Sequence, residues 1–313
     1  MTNLKWILVA GSLVLGFGQS ALAWGPVGHE TIGEIAKQYV SPAAAQNIAT
    51  VLEGQSLSVA SNWPDTVRDD HDYDSFKTIH YFDIKTGMSV EQKQREDKKP
   101  NDALAGLEKV YNLLLDRTVP RSVKTVALRY FLHIVGDLHQ PLHVGNTLDR
   151  GGNQCYVMVN ESKVVNLHSA WDSDFIALDH GNNGPQYASE LIKNSFPNAM
   201  EKARIEQGQI VDWVREAQSL RSLVYPDDAR TIEQERARTF CSIDGSSQFM
   251  GTDQAVHLTD TYKKQAIAIT RKQLVTGGIR IAYWMNKIFE NPDSVGVVKQ
   301  LSKSQIIKYF ELK

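Results

Sequence analysis

Cysteine is scarce: two in 313 residues. That excludes a disulfide-dense miniprotein, and it argues against four-cysteine structural zinc sites and iron–sulfur sites, which need several thiolates. Charge of one sign is missing too. With 34 Lys+Arg against 36 Asp+Glu the formal charge is −2, which excludes a protein that coats duplex DNA with a broad basic surface. Beyond the N-terminus no apolar run is long enough to span a bilayer. The remainder is 42% hydrophobic and 22% charged, the balance of a folded globular protein and not of a disordered or collagen-like chain. The length allows one large or two small domains. Nine histidines against two cysteines are the imbalance to explain, because histidine is the commonest metal ligand.

Residues 1–23 carry one Lys5, an apolar run and then Ala21-Leu22-Ala23. This is the pattern of a secretory signal peptide cut after Ala23, and Trp6 to Gly18 is short for a membrane span. Cleavage removes one lysine and no acid, so the charge becomes −3. It also leaves Trp24 as a new terminus whose amine, with a reference pKa of about 8, is partly neutral near pH 7 and can bind a metal. The expectation is a protein secreted or periplasmic, without a membrane anchor. Export to an oxidising compartment would permit a Cys155–Cys241 disulfide.

Helical periodicity dominates the rest. Apolar residues recur at helical spacing over Val27–Val40, from Ser41-Pro42 to Leu52, over Asp102–Asp116 and over Pro120–Gln140. Another long helical stretch runs over Asp253–Glu290, with Gly277-Gly278 as a candidate kink. Gln154–Asn160 and Lys163–Asn166 form a candidate hairpin around Glu161-Ser162. Glu91–Asp102 and Phe240–Gly251 look like polar loops. The fold class expected is mainly α, a single compact multi-helix domain over residues 24–313 with a small β-hairpin.

On those elements histidine and aspartate fall into pairs. His133 and Asp137 are four apart on the long helix and leave the same face, and His143 follows just after Pro141. His168 and Asp172 repeat the spacing in H-S-A-W-D. Upstream lie His80 and Asp83 in H-Y-F-D, Asp65 and Arg68 in W-P-D-T-V-R, and His29 five residues after Trp24. One such pair reads best as a surface ion pair or a satisfied core histidine. Several together, beside a liberated amine, point to metal sites. Imidazole and carboxylate without thiolate suit zinc in open, catalytic positions.

In these motifs the chain resembles the zinc-dependent single-strand nucleases and 3′-nucleotidases. The resemblance runs from Trp24 to about residue 290 through W-G-x-x-G-H, W-P-D-x-x-R, H-Y-F-D, H-I-V-G-D-L-H-Q-P-L-H, G-G-N and L-H-S-x-W-D. It implies the fold of the zinc phospholipase C and single-strand nuclease superfamily, and three zinc ions. One would take Asp65, His80, His133 and Asp137. A second would take His143, His168 and Asp172. The third would take the amine and carbonyl of Trp24 with His29 and the bridging Asp137. Water activated between two of the metals would attack phosphorus in line, leaving a 5′-phosphate and a free 3′-hydroxyl.

By the same resemblance Asp65 orients the nucleophile and Arg68 neutralises charge on the phosphate. Asp83 and Asn153 meet the nucleobase edge, and Gly151 and Gly152 allow close backbone approach. By analogy with aromatics in single-strand sites Tyr81 stacks on the base, and the alternative is that Tyr81 and Phe82 are core residues. The implied substrates are single-stranded RNA and DNA and 3′-nucleotides, acted on by a monomer that forms no stable nucleic-acid complex. The four remaining histidines have structural readings: His139 behind the metals, and His71, His180 and His257 as surface or satisfied polar residues. The rivals are a zinc phospholipase C and a non-catalytic zinc-binding protein. The former usually ends its ligand set on Glu where Asp172 stands here, and the latter needs no Arg68, Asp83 or Asn153.

Overall fold

Pro26 at a first helical turn and the apolar series Ile32, Ile35 and Ala36 start helix α1 (Pro26–Lys37). The computed structural model describes residues 24–98, 100–195, 197–225 and 255–311. The expected signal peptide 1–23, the expected loop 240–251 and Cys241 lie outside the described residues. Ser41 caps α2 (Pro42–Val51) and Ser56 caps α3 (Leu57–Thr66), each hydroxyl accepting a first-turn N–H. A 3-10 helix covers His71–His80. The charged stretch read as a loop folds partly into α4 (Val90–Glu96), because Ser89 caps it and Val90 is buried against the core. Asp102 caps α5 (Ala103–Leu115) by accepting from the Leu104 and Ala105 N–H groups.

Helix α6 (Arg121–Asp137) is the axis of the molecule. From Val123 to Asp137 it is buried all round except at Arg129, the pattern of a helix enclosed by others. It packs on α3 and α5, while α1 packs on α3. Burial obliges each polar side chain on α6 to find a partner. The Lys124 ammonium donates to the carbonyls of Leu114 and Ser294, and Thr125 donates to Val51 O. His133 and Asp137 meet each other and other candidate ligands.

A 3-10 turn (Pro141–Val144) follows α6, and β1 (Tyr156–Asn160) pairs antiparallel with β2 (Lys163–Asn166). That is the expected hairpin. A two-residue strand β3 (Val256–His257), too short to show alternation in sequence, pairs parallel with β1 and completes the order β2-β1-β3. After β2 come α7 (Leu167–Ser169), a π-helical turn (Ala170–Asp174) and α8 (Phe175–Asp179). Next are α9 (Gly184–Asn194), α10 (Ala199–Glu206), α11 (Ile210–Ser219) and α12 (Arg221–Val224). Helix α13 (Asp260–Phe289) runs unbroken through Gly277-Gly278. A Cβ on Gly278 would lie 2.5 Å from Ile35 Cγ2, so this glycine serves the close packing of α13 on α1. α14 (Lys303–Ile307) and a 3-10 turn (Lys308–Phe310) end the described helices.

A large core cluster joins α1, α2, α3, α5, α6 and α13. A smaller one, around Cys155, Val157, Trp171 and Phe175, backs the hairpin. No helix of the described residues is long and apolar enough to cross a membrane. The chain is a mainly α domain with a small sheet, as its periodicity implied.

Candidate metal centre

Four separate stretches of chain deliver histidine and aspartate to one place. Helix α1 brings His29, the end of α3 brings Asp65, the 3-10 helix ends on His80, and α6 carries His133 and Asp137. Asp137 stands between them. Its Oδ1 lies 3.3 Å from His29 Nε2, and its Oδ2 lies 3.3 Å from both His80 Nδ1 and His133 Nε2. Asp65 Oδ1 is 3.7 Å from His133 Nε2. Beside this group lies a second. His143 and His168 face each other with Nε2 atoms 3.1 Å apart, and Asp172 Oδ2 is 3.6 Å from His168 Nε2. Three sets, His29–Asp65–His133, His80–His133–Asp137 and His143–His168–Asp172, are compact enough to hold a metal ion.

The imidazoles are aimed by their outer nitrogens. His133 Nδ1 donates to Ser61 O at 2.7 Å, His143 Nδ1 to His80 O at 2.6 Å, and His168 Nδ1 to Gly151 O at 2.6 Å. Each bond sets the tautomer that leaves Nε2 as a lone-pair donor towards the cluster. His80 presents Nδ1 instead. It is held by a short strand-like exchange in which Phe82 N donates to His143 O and Ile84 N to Gly145 O. Asp172 sits on the π-helical turn, so the i,i+4 pair with His168 closes over a widened turn and not a regular helix.

Burial gives this set its chemistry. It lowers His29, His80 and His143 well below the usual histidine range and His168 to about 4, so the rings are neutral donors near pH 7. It raises Asp65, and raises Asp137 and Asp172 well above the usual carboxylate range. Buried atoms without a hydrogen-bond partner converge here: both ring nitrogens of His29, both oxygens of Asp65 and Asp137, and Oδ2 of Asp172. Orphaned acceptors in such numbers are costly unless a cation meets them. Neutral nitrogen and carboxylate oxygen donors without sulfur fit zinc.

Trp24 is fully buried beside the cluster. Its indole Nε1 donates to Gly136 O at 2.9 Å, and the next residue, Gly25, donates its N–H to Asp172 O at 3.0 Å. The first described residue is thus pinned between the end of α6 and the π-helical turn. Arg68 lies half-buried just past α3, and its charge acts on Asp65, Asp137 and Asp172, opposing the effect of their burial.

The residues expected to meet a nucleobase share one edge of the centre. Gly151 and Gly152 have φ of +62° and +82°, a left-handed pair that side chains rarely adopt. A Cβ on Gly151 would come 2.5 Å from Leu142 O and 3.5 Å from Asp83 Oδ1. Burial, and after it the Asp149 carboxylate, pushes Asp83 up to about 7. Asn153 lies in the same turn with Nδ2 bonded to Arg150 O. Tyr81 is 39% exposed while its neighbour Phe82 is core, so only the first has an open ring.

The other histidines stay apart from the candidate ligand cluster. His139 receives a hydrogen bond from Arg280 Nη1, His180 bonds Glu190, and exposed His71 bonds Asp74. His257 is an exposed member of β3. The acidic loop Asp69–Asp74 has its own cation, because the Lys303 ammonium pairs with Asp70 and Asp72. Two site-supporting residues escaped the sequence reading. Gln140 donates to Asp172, and Asp149 accepts from the Gly152 N–H and Tyr225 hydroxyl. Both carry a local clue, an amide or carboxylate next to Pro141 or the glycine pair, but nothing that names their partners.

Known proteins share this frame. Residues 24–290 match the family model described as S1/P1 Nuclease. Among curated relatives, Nuclease S1 of Aspergillus oryzae is 25% identical over 303 residues, covering 91% of this chain and 99% of the relative. Endonuclease 4 of Arabidopsis thaliana is 27% identical over 301 residues, covering 91% and 94%. Nuclease P1 of Penicillium citrinum is 25% identical over 280 residues, covering 85% and 97%. With the matched residues spanning every element that contributes to the centre, the chain belongs to the S1/P1 nuclease family.

Proposed function

We propose that the chain, starting at Trp24 after export and cleavage, is a three-zinc nuclease. It hydrolyses single-stranded RNA and DNA to 5′-phosphate products and dephosphorylates 3′-nucleotides. The observation that carries this is the convergence of buried, unpartnered donor atoms of His29, Asp65, Asp137 and Asp172 on one cluster. The start of the family match at Trp24 supports the cleavage site.

Asp65, His80, His133 and Asp137 would hold one ion, and His143, His168 and Asp172 a second. The Trp24 amine and carbonyl, His29 and Asp137 would hold the third. Asp137 suits a shared position because its two oxygens face different histidines. Bound zinc supplies Lewis acidity and makes water acidic enough to lose its proton near neutral pH.

The protein groups do the rest. Asp65 orients the attacking water with an oxygen that has no other partner. Arg68 balances charge on the phosphate oxygens. Asp83 and the Gly151-Gly152-Asn153 turn receive the base edge, and the exposed Tyr81 ring offers a stacking face. A base held on that edge has to be unpaired and unstacked, which accounts for single-strand preference.

A substrate panel on zinc-loaded mature protein tests this. Single-stranded RNA and DNA and a 3′-nucleotide are expected to be cleaved, with loss on chelation and recovery with zinc. Protein that leaves them intact yet hydrolyses phosphatidylcholine would belong to the phospholipase alternative.

A further inference from the structure

Gln140 lies in the metal-facing segment, fully buried between Asp137 and His143. Both ends of its amide are committed. Oε1 accepts from the Leu142 N–H at 2.5 Å, which identifies the other atom as nitrogen, and Nε2 donates to Asp172 Oδ1 at 2.6 Å. The two oxygens of Asp172 therefore differ. Oδ1 is taken up by Gln140, while Oδ2 is buried without a partner and stands on the His168 side. The Asp172 main chain is held as well, its carbonyl accepting from Gly25 in the π-helical turn. What remains free is the rotation of the carboxylate, and Gln140 restrains that.

We propose that Gln140 is a positioning residue that makes Asp172 a one-oxygen donor to the metal of the His143–His168 group. This rests on the metal-centre reading above. A carboxylate limited to one oxygen completes a compact three-donor set of two nitrogens and one oxygen with a position left open, the coordination zinc favours in hydrolytic sites. A carboxylate free to offer both oxygens suits larger cations with more ligands. Gln140 thus acts on metal choice at the second group without touching a metal.

Two substitutions separate this role from mere support of the turn after α6. Gln140→Glu keeps an acceptor for Leu142 and removes the donor to Asp172, whereas Gln140→Met removes both. Zinc per chain is measured by elemental analysis after dialysis against zinc buffers, with cadmium competition alongside. Wild type is expected to retain three zinc ions. Both variants are expected to lose one of the three about 10–100-fold more readily, the range for removing an outer partner of a metal ligand. The weakened site should shift towards cadmium. Equal zinc retention in all three proteins overturns the proposal and leaves the metal-centre reading standing. Loss in Gln140→Met alone also overturns it, because the turn is then the cause. Wild type that binds no zinc removes both readings.

Discussion

What a histidine does here is decided by the group its second nitrogen meets. His133 and His139 lie six residues apart in one motif and both are buried. His133 turns Nδ1 to Ser61 O and leaves Nε2 beside Asp137, whereas His139 spends Nδ1 on Val135 O and Nε2 on Arg280. Burial with the Arg280 charge lowers His139 to about 3, so it is a neutral packing residue. The same logic applies to charge. Arg68→Ala should lower kcat by about 10²–10³-fold, the cost of losing one charge-stabilising donor, with KM changed far less. Steady-state kinetics on a single-stranded oligonucleotide checks it, and a loss confined to KM would show that Arg68 only binds substrate. Asp149 predicts a stability effect. Burial raises it to about 6 from an ordinary value near 4. As pH rises through that window the unfolded chain ionises first, so the folded state loses stability. Asp149→Asn retains an acceptor for Gly152 and Tyr225 and should lose less stability than wild type between about pH 4 and 6. Thermal unfolding across that range tests this, and parallel curves would refute it.

At the scale of elements, the centre depends on how closely helices approach. Helices α1 and α3 deliver His29 and Asp65, and Gly33 is where they touch: a Cβ there would lie 2.7 Å from the Ser58 Cα and backbone nitrogen. Backbone cannot move aside as a side-chain tip can. Gly33→Ala should therefore destabilise by about 1–3 kcal/mol through overpacking, against about 1 kcal/mol gained in helix propensity. A lower Tm is expected, and a raised Tm would mean that the helices are not in this contact. Periodicity made α1, α2, α5 and α6 readable because each has a continuous apolar series. It could not reveal α4, whose short charged turn has one buried residue, Val90. Nor could it reveal β3, whose two residues form a strand only because β1 lies alongside. The His168–Asp172 spacing was visible, while the π-helical turn that carries Asp172 was not.

For the whole molecule, the position of Trp24 matters most. Its burial against Gly136 and the Gly25–Asp172 bond hold Trp24 itself beside the candidate ligand cluster. Under the three-zinc reading, one extra residue before Trp24 should reduce zinc from three to two per chain, because an amide replaces the amine. Elemental analysis of native and extended proteins decides it, and equal zinc in both would sink the terminal ligand. Net charge is instructive at this scale as well. An acidic chain can act on a polyanion when the positive potential is confined to one site, here Arg68 and whatever cations the buried cluster holds.

The sequence by itself determined the helical class, since apolar spacing is local and survives any arrangement of the helices. It determined the donor types as well, because nine histidines with two cysteines leave nitrogen and oxygen as the available metal ligands. It also pointed to the family, through motifs in fixed order. Only the tertiary structure decided which donors share a centre. Asp137 meets His29 across 108 residues of sequence and His80 across 57, and no local spacing encodes such approaches. It also decided which donors are supported, as Gln140 and Asp149 act through partners that packing alone brings within reach.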